Sequence, residues 1–220
     1  MSLAVHDGSG DNLSATMGLY RRYVGPRLIG LACSQANITE LRQTIIPRAS
    51  GVVLEVGIGP GLNLAHYDPQ KVIKVIGVDP EQGFVELAKE RVKASPVPVE
   101  IIQAPGERIP LDDGTADTAV LTYTLCSVQD PVAVLREIRR VLKPGGRLLF
   151  LEHGRSEETK IAQWQDRLNP LWNVFSCGCQ INRDTAQLLS EAGFRIEDAD
   201  RFYLPGAPKI LGFHCRGTAV

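Results

Sequence analysis

The stretch from Val52 to Asn63, VVLEVGIGPGLN, constrains this chain more than any other. Its first half is an apolar run (Val52, Val53, Leu54, Val56) with the length and composition of a strand buried on both faces of a parallel sheet. The run empties into a turn with glycine at 57, 59 and 61. Glycine suits such a turn because it tolerates positive φ and because a missing Cβ lets the backbone approach a ligand closely. A dinucleotide fingerprint would place its third glycine at 62, where Leu62 stands, so the spacing does not fit a nicotinamide cofactor. The pattern is Glu55-x-Gly57-x-Gly59-x-Gly61, an acid near a strand tip followed by three alternating glycines.

A second apolar run, Val72 to Val78, ends in Asp79, 24 positions after Glu55. In nucleotide-binding α/β folds an acid at the end of the second strand accepts hydrogen bonds from ribose hydroxyls. Asp79 fits that role, and it also fits an N-cap for the helix that Pro80 and Glu81 introduce; the two are compatible. Further along, the pattern predicts a helix over Glu81 to Ala94, a strand over Val99 to Gln103 and a strand over Thr118 to Tyr123. It then predicts an amphipathic helix from Pro131 to Leu142, ended by a glycine cap in Lys143-Pro144-Gly145-Gly146, and a strand over Arg147 to Leu151. Asn182 to Thr185 caps a last helix, and Phe194 to Tyr203 with Ile210 to Val220 read as an antiparallel hairpin. Ahead of Val52, residues 1–12 are expected to be mobile, Leu19 to Cys33 to form two short helices, and Ile38 to Ile46 a helix capped by Asn37 or Thr39 and stopped by Pro47.

The chain has 220 residues, enough for one full α/β domain and too few for two. Its net charge of −1, with Lys and Arg spread along the chain, gives no electrostatic footprint for nucleic acid. No apolar stretch reaches 18 residues and the N-terminus lacks a signal-peptide pattern, so the expectation is a cytoplasmic protein without stable membrane insertion. The five cysteines, at 33, 126, 177, 179 and 215, do not form a disulfide framework pattern. Cys177-Gly178-Cys179 invites a metal reading, but no second cysteine pair or histidine pair accompanies it in sequence, so these are read as ordinary thiols and no metal is expected.

The Glu55 and glycine pattern, with Asp79 and the phrase Leu142-Lys143-Pro144-Gly145-Gly146, resembles the class I S-adenosylmethionine-dependent methyltransferases with a type 11 methyltransferase domain. From about Val53 onward the chain is similar to the alkyl-thiol methyltransferases of the methyltransferase-like group. The phrases that carry this are Leu54-Glu55-Val56-Gly57, Ala104-Pro105-Gly106-Glu107, Thr124-Leu125-Cys126-Ser127-Val128-Gln129, Val134-Leu135-Arg136-Glu137, Glu152-His153 and Gly178-Cys179-Gln180-Ile181-Asn182-Arg183. The resemblance implies an α/β, Rossmann-like seven-stranded, mostly parallel sheet with a terminal antiparallel hairpin and helices on both faces. It also implies an N-terminal helical lid over residues 13–50 and a methyltransferase domain over residues 51–220, with a substrate insert at about 153–182.

The resemblance further implies S-adenosylmethionine as methyl donor and S-adenosylhomocysteine as product. Glu55, Gly57, Gly59, Gly61 and Asn63 would line the methionine end, Asp79 and Pro80 the ribose, Gly106 and Glu107 the adenine, and Thr122 and Leu125 the remaining wall. Because Pro105 stands where the family often has an acid, adenine would be read by Gly106 and Glu107. A small-molecule acceptor would sit among Tyr20, Tyr23, Tyr123, Cys126, Trp164 and Trp172, with His153 as base or orienting group. The tryptophan-rich insert is by default a small satellite core and otherwise an apolar substrate pocket. A thiol is the acceptor expected first, because with a reference pKa near 8.5 it needs a weaker base than an alcohol or a ring carbon. A quinone-like ring and a phospholipid amine are the rivals, and a donor-binding regulator or scaffold is the non-enzyme alternative.

Overall fold

A computed structural model describes residues 33–176 and 178–220. The expectations for residues 1–12, for most of Leu19 to Cys33, and for Tyr20, Tyr23 and Cys177 fall outside those residues. In chain order the elements are α1 (Ala36–Ile45), a 3-10 turn (Ile46–Arg48), β1 (Gly51–Val56), a second 3-10 turn (Leu64–His66), β2 (Val72–Val78), α2 (Gln82–Lys93), β3 (Val99–Ile102), β4 (Ala116–Thr122), α3 (Pro131–Val141), β5 (Leu142–His153), α4 (Thr159–Phe175), α5 (Thr185–Glu191), β6 (Ile196–Tyr203), the one-turn α6 (Lys209–Gly212) and β7 (Phe213–Ala219). The seven strands form one sheet in the order β3-β2-β1-β4-β5-β7-β6. β1 to β5 run parallel, and β7 is antiparallel to both β5 and β6.

The period of two along each strand sorts side chains onto two cores. Leu54, Val56, Leu121, Leu148 and Phe150 face one side, where they meet Val134, Leu135, Ile138 and Val141 of α3 and Leu189 of α5. Val53, Val75, Val120, Leu149 and Leu151 face the other, where they meet Ile45 and Ile46 at the end of α1. The four α3 residues have no exposed surface, and each stabilises the fold by about 1.5–3 kcal/mol through burial. Asp130 starts this helix by accepting a hydrogen bond from Ala133 N at 2.9 Å, with Pro131 in the first turn. By the same alternation Glu55 and Thr122 face the α1 side, which sets up the site.

Several elements differ from the sequence expectation. Helix α1 starts at Ala36 without a side-chain cap, and Pro47 continues the chain into the 3-10 turn. Helix α3 does not end in a glycine cap: Leu142 turns extended and pairs with Ala116, so strand pairing takes over one residue after Val141. The positive φ of Gly145 (+80°) belongs to a bulged stretch of β5, where the pairing with β4 shifts from Ala116 opposite Leu142 to Thr118 opposite Arg147. The final strand starts at Phe213, after α6. The largest difference is α4, a 17-residue helix within the stretch read from sequence only as a substrate insert. Pro170 inside it obscures a stripe of Trp164, Leu168, Leu171 and Phe175 at intervals of four, three and four. That stripe is not a satellite core, since Trp164 is 53% and Leu171 61% exposed.

Candidate active site

The sheet reverses its winding between β1 and β4, and open α/β sheets bind ligands at the carboxyl edge of that crevice. The glycine loop lies there. Gly57, Gly59 and Gly61 all have positive φ (+72°, +52°, +76°). A Cβ on Gly57 would stand 2.4 Å from Thr124 Oγ1, and one on Gly61 would stand 3.0 Å from Leu64 Cδ1. At Gly59 the nearest atom to a Cβ is Gly57 O at 3.8 Å, so this glycine presents an open backbone surface. A separate cleft of about 360 Å³, lined by Arg48, Asp117 and Lys143 among others, opens at the amino end of the strands. Lys143 and Asp117 in it are paired with each other at 2.7 Å, and it is on the wrong edge for the glycine loop.

Asp79 joins the loop to the end of β2. Its Oδ2 accepts from Gly59 N at 2.9 Å and its Oδ1 accepts from Glu81 N at 2.9 Å. The residue preceding α2 is Glu81, so Asp79 is not that helix's N-cap. Each carboxylate oxygen keeps a lone pair for a further donor. Burial raises the Asp79 pKa, while the Glu81 and Gly59 backbone bonds pull it down.

Glu55 lies inside, only 1% exposed. Its Oε1 accepts from Asn63 Nδ2 at 2.8 Å and its Oε2 from Tyr67 OH at 2.7 Å. Arg42 of α1 closes the network by donating to Asn63 Oδ1 at 2.7 Å and to Thr122 Oγ1 at 2.8 Å. Its guanidinium lies over the Tyr123 ring, 5.3 Å from the centroid. Arg42 Nε is buried without a hydrogen-bond partner among the described residues. Burial pushes the Glu55 carboxyl up to about 7, against the pull of Tyr67, Asn63 and Arg42. The folded chain therefore holds a proton that the unfolded chain gives up near its ordinary value of 4.5. The resulting stabilisation is full below that value and is lost as pH rises to about 7, a change of roughly 3 kcal/mol. Denaturant titrations of wild type and Glu55→Gln should show the wild type losing that much ground to the amide over this window. A difference that stays flat with pH would show that the carboxyl is not held protonated.

The far wall begins at Tyr123, the one non-glycine with positive φ (+56°) among the described residues. Such a conformation costs energy and persists where surrounding structure enforces it. Here Glu152 enforces it, its Oε1 accepting from Thr124 N at 2.8 Å and Leu125 N at 3.1 Å. Burial pushes Glu152 up to about 7. The next residue, His153, stacks on Tyr123 with centroids 6.1 Å apart, and its Nε2 lies 3.2 Å from Cys179 Sγ. Cys126 Sγ completes a cluster in which the ligating atoms of Cys126, His153 and Cys179 all lie within 4.8 Å of one another. Cys179 is drawn down to about 4, first by the Cys126 thiol and then by His153 and the Trp172 indole, although burial opposes this. Burial alone would lower the His153 imidazole, and the Cys179 sulfur overrides it and raises it. His214 packs edge-on against Tyr123 at 5.7 Å, and burial keeps it neutral, with a pKa of about 4.

The fold gathers Glu55, Gly57, Gly59, Asn63, Asp79, Thr122, Tyr123, Leu125, Cys126 and His153 along this edge, with Trp172 beside Cys179. Gly106 is buried against Val56 and Val134, and Glu107 Oε1 accepts from Asp130 N at 3.3 Å. Pro80 is exposed, and Trp164 lies on the outward face of α4 under Arg167. Sequence reasoning gave no role to Arg42, Tyr67, Glu152, Cys179 or His214. Glu152 and Cys179 stood in the specific phrases of the resemblance, whereas nothing in the local pattern around Arg42 marks it. The donor implied by the resemblance carries a carboxylate, a cationic amine and ribose hydroxyls. The unpartnered Arg42 Nε, the Glu55 and Asp79 carboxylates and the open face of Gly59 are of the kinds that those groups need.

Residues 54–150 match the family described as a methyltransferase domain. The chain is 38% identical over 175 residues to the human thiol S-methyltransferase TMT1B, covering 74% of this chain and 71% of that protein. It is 32% identical over 186 residues to the human thiol S-methyltransferase TMT1A, covering 83% of this chain and 75% of that protein. Its fold matches the solved structure of a Leishmania major SAM-dependent methyltransferase with a TM-score of 0.68 at 16% identity, over 94% of this chain and 82% of the other.

Proposed function

The chain belongs to the class I S-adenosylmethionine-dependent methyltransferases, and from that premise we propose that its acceptor is a small, largely apolar thiol. One observation carries the reading: the half-buried Cys179 sulfur sits 3.2 Å from His153 Nε2 at the carboxyl edge of the sheet. The edge is therefore chemically suited to a sulfur bearing negative charge, the state in which a thiol attacks. The relatives at 32–38% identity are thiol S-methyltransferases, which supports the same acceptor class.

Bound S-adenosylmethionine supplies a methyl group on a sulfonium, open to in-line displacement by an acceptor sulfur. The chain's part is alignment and exclusion of water, which can supply several kcal/mol through proximity. In this reading Asp79 holds the ribose, and Gly106 with Glu107 borders the adenine. Arg42 and the Glu55 network hold the two charged ends of the methionine portion, and Gly59 lets the ligand lie against the loop. Tyr123, Leu125 and Trp172 wall the acceptor, and His153 orients it or accepts its proton. No helix among the described residues is long and apolar enough to cross a membrane.

The test is a screen with labelled donor across alkyl and aryl thiols, hydroquinones and phosphatidylethanolamine vesicles, run on wild type and His153→Ala. Turnover is expected with thiols, with kcat falling at least about 100-fold in the variant, the lower side of what a lost acid–base group costs. Turnover confined to the hydroquinones or the vesicles would overturn the thiol assignment. An undiminished rate in the variant would remove His153 from the mechanism.

A further inference from the structure

Cys126, His153 and Cys179 come from three separate stretches, the turn that follows β4, the last residue of β5 and the segment that follows α4. Each is tied down through a neighbour of another. Glu152, next to His153, accepts from the backbone of Thr124 and Leu125, next to Cys126. Gln180, next to Cys179, donates its N–H to Cys126 O at 2.8 Å. The Arg183 guanidinium donates to Leu125 O and Val128 O on either side of Cys126 and holds that turn from below. The three ligating atoms are thereby positioned by hydrogen bonds that lie outside the cluster itself.

The spacing has a chemical meaning. Zinc binds thiolate sulfur at about 2.3 Å and imidazole nitrogen at about 2.0–2.1 Å, so two tetrahedral ligands stand roughly 3.5–3.8 Å apart. The Cys179 to His153 separation is 3.2 Å and no pair in the cluster exceeds 4.8 Å, so small side-chain rotations bring all three onto one ion. Two cysteines and a histidine are a soft donor set, suited to zinc and not to magnesium or calcium. The sequence expectation of ordinary thiols looks for a cysteine or histidine partner close by in the chain, and the fold supplies partners 26 and more residues away.

We propose that Cys126, His153 and Cys179 form a three-ligand zinc site whose fourth position takes the acceptor sulfur. The occupant of that fourth position rests on the thiol reading above; the metal site itself does not. Three protein ligands and one open position are the arrangement of a catalytic rather than a structural zinc. On coordination the acceptor thiol loses its proton to solvent and binds as a thiolate, so that His153 orients the acceptor through the ion and does not take its proton. Its sulfur then forms a bond to the methyl carbon as the bond from that carbon to the donor sulfonium breaks. The products are a methyl thioether and neutral S-adenosylhomocysteine, and the thioether, a weaker zinc ligand than a thiolate, leaves.

The test uses the full chain, reduced and stripped with a chelator, then titrated with cobalt(II) under anaerobic conditions. One equivalent is expected to bind with thiolate-to-cobalt charge-transfer absorption and to be displaced by zinc. Cys126→Ser and Cys179→Ser should each weaken cobalt binding at least 100-fold and remove part of that absorption, and His153→Asn should shift the ligand-field bands. Binding of S-adenosylhomocysteine, followed by calorimetry in each variant, certifies the fold. Absence of stoichiometric cobalt binding at micromolar protein, or absorption unchanged in both serine variants, would overturn the site. Full thiol turnover by the stripped protein would overturn the metal's part in the reaction while leaving the thiol reading intact. Stoichiometric cobalt binding that responds to the serine variants, in a protein that methylates no thiol, would support the site and defeat the thiol reading.

Discussion

Gly57→Ala is expected to lower the affinity for S-adenosylmethionine and S-adenosylhomocysteine at least about 100-fold, equivalent to about 2.7 kcal/mol. A left-handed backbone costs an L-residue about 1–2 kcal/mol, and Gly57 has φ +72°. The added methyl would also stand 2.4 Å from Thr124 Oγ1. Thr124 cannot rotate away freely, because its hydroxyl bonds Val56 O at 3.1 Å and its backbone N–H is held by Glu152. The loop must therefore shift, carrying with it the Gly59 N–H that anchors Asp79. Calorimetric titration of both proteins with S-adenosylhomocysteine checks this, with circular dichroism to confirm the fold. Affinity within tenfold of wild type would show that the loop does not shape the donor site.

Arg42→Met should destabilise the protein by about 2–4 kcal/mol and weaken donor binding as well. Arg42 is 4% exposed, and its guanidinium is the donor to Asn63 Oδ1 and Thr122 Oγ1. Hydrogen bonds from a charged group contribute about 1.5–3 kcal/mol each, less than additively when they share one donor. Methionine keeps much of the apolar volume, so the loss reports the polar contacts more than a cavity. Because Arg42 pulls the Glu55 carboxyl down, its removal should also move that carboxyl further up, shifting the pH window of Glu55 to higher values. Urea denaturation across pH reads both effects. A stability change under about 1 kcal/mol with an unmoved window would show that water replaces the guanidinium without consequence.

Much of the fold was legible in the sequence, because strands buried on both faces must be apolar runs and turns with positive φ must be glycine. Val72 to Val78 is β2 to the residue, and the glycines at 57, 59 and 61 all have positive φ. The place of Asp79 at the end of β2 was legible too, whereas its bond from Gly59 N at 2.9 Å was not, because that bond depends on how the glycine loop folds back over the strand end. Helix α4 was not, since its apolar stripe faces outward and is interrupted by Pro170, which argues locally against a helix. Trp164 was placed in the acceptor pocket, yet it is 53% exposed and lies under the Arg167 guanidinium.

What the sequence by itself determined is the α/β sheet and the glycine loop at the end of its first strand, both properties of short stretches whose residue types admit few backbone conformations. What only the tertiary structure decided is the company each reactive group keeps. Arg42 reaches Thr122 across 80 residues because strand alternation turns Thr122 and Glu55 toward α1. Cys126, His153 and Cys179 meet because the turn after β4, the end of β5 and the segment after α4 converge on one edge of the sheet and are bonded to one another there. The apolar periodicity of a strand is a local property that neighbouring residues record, whereas the meeting of a sulfur with an imidazole depends on strand order and register, which long-range packing sets.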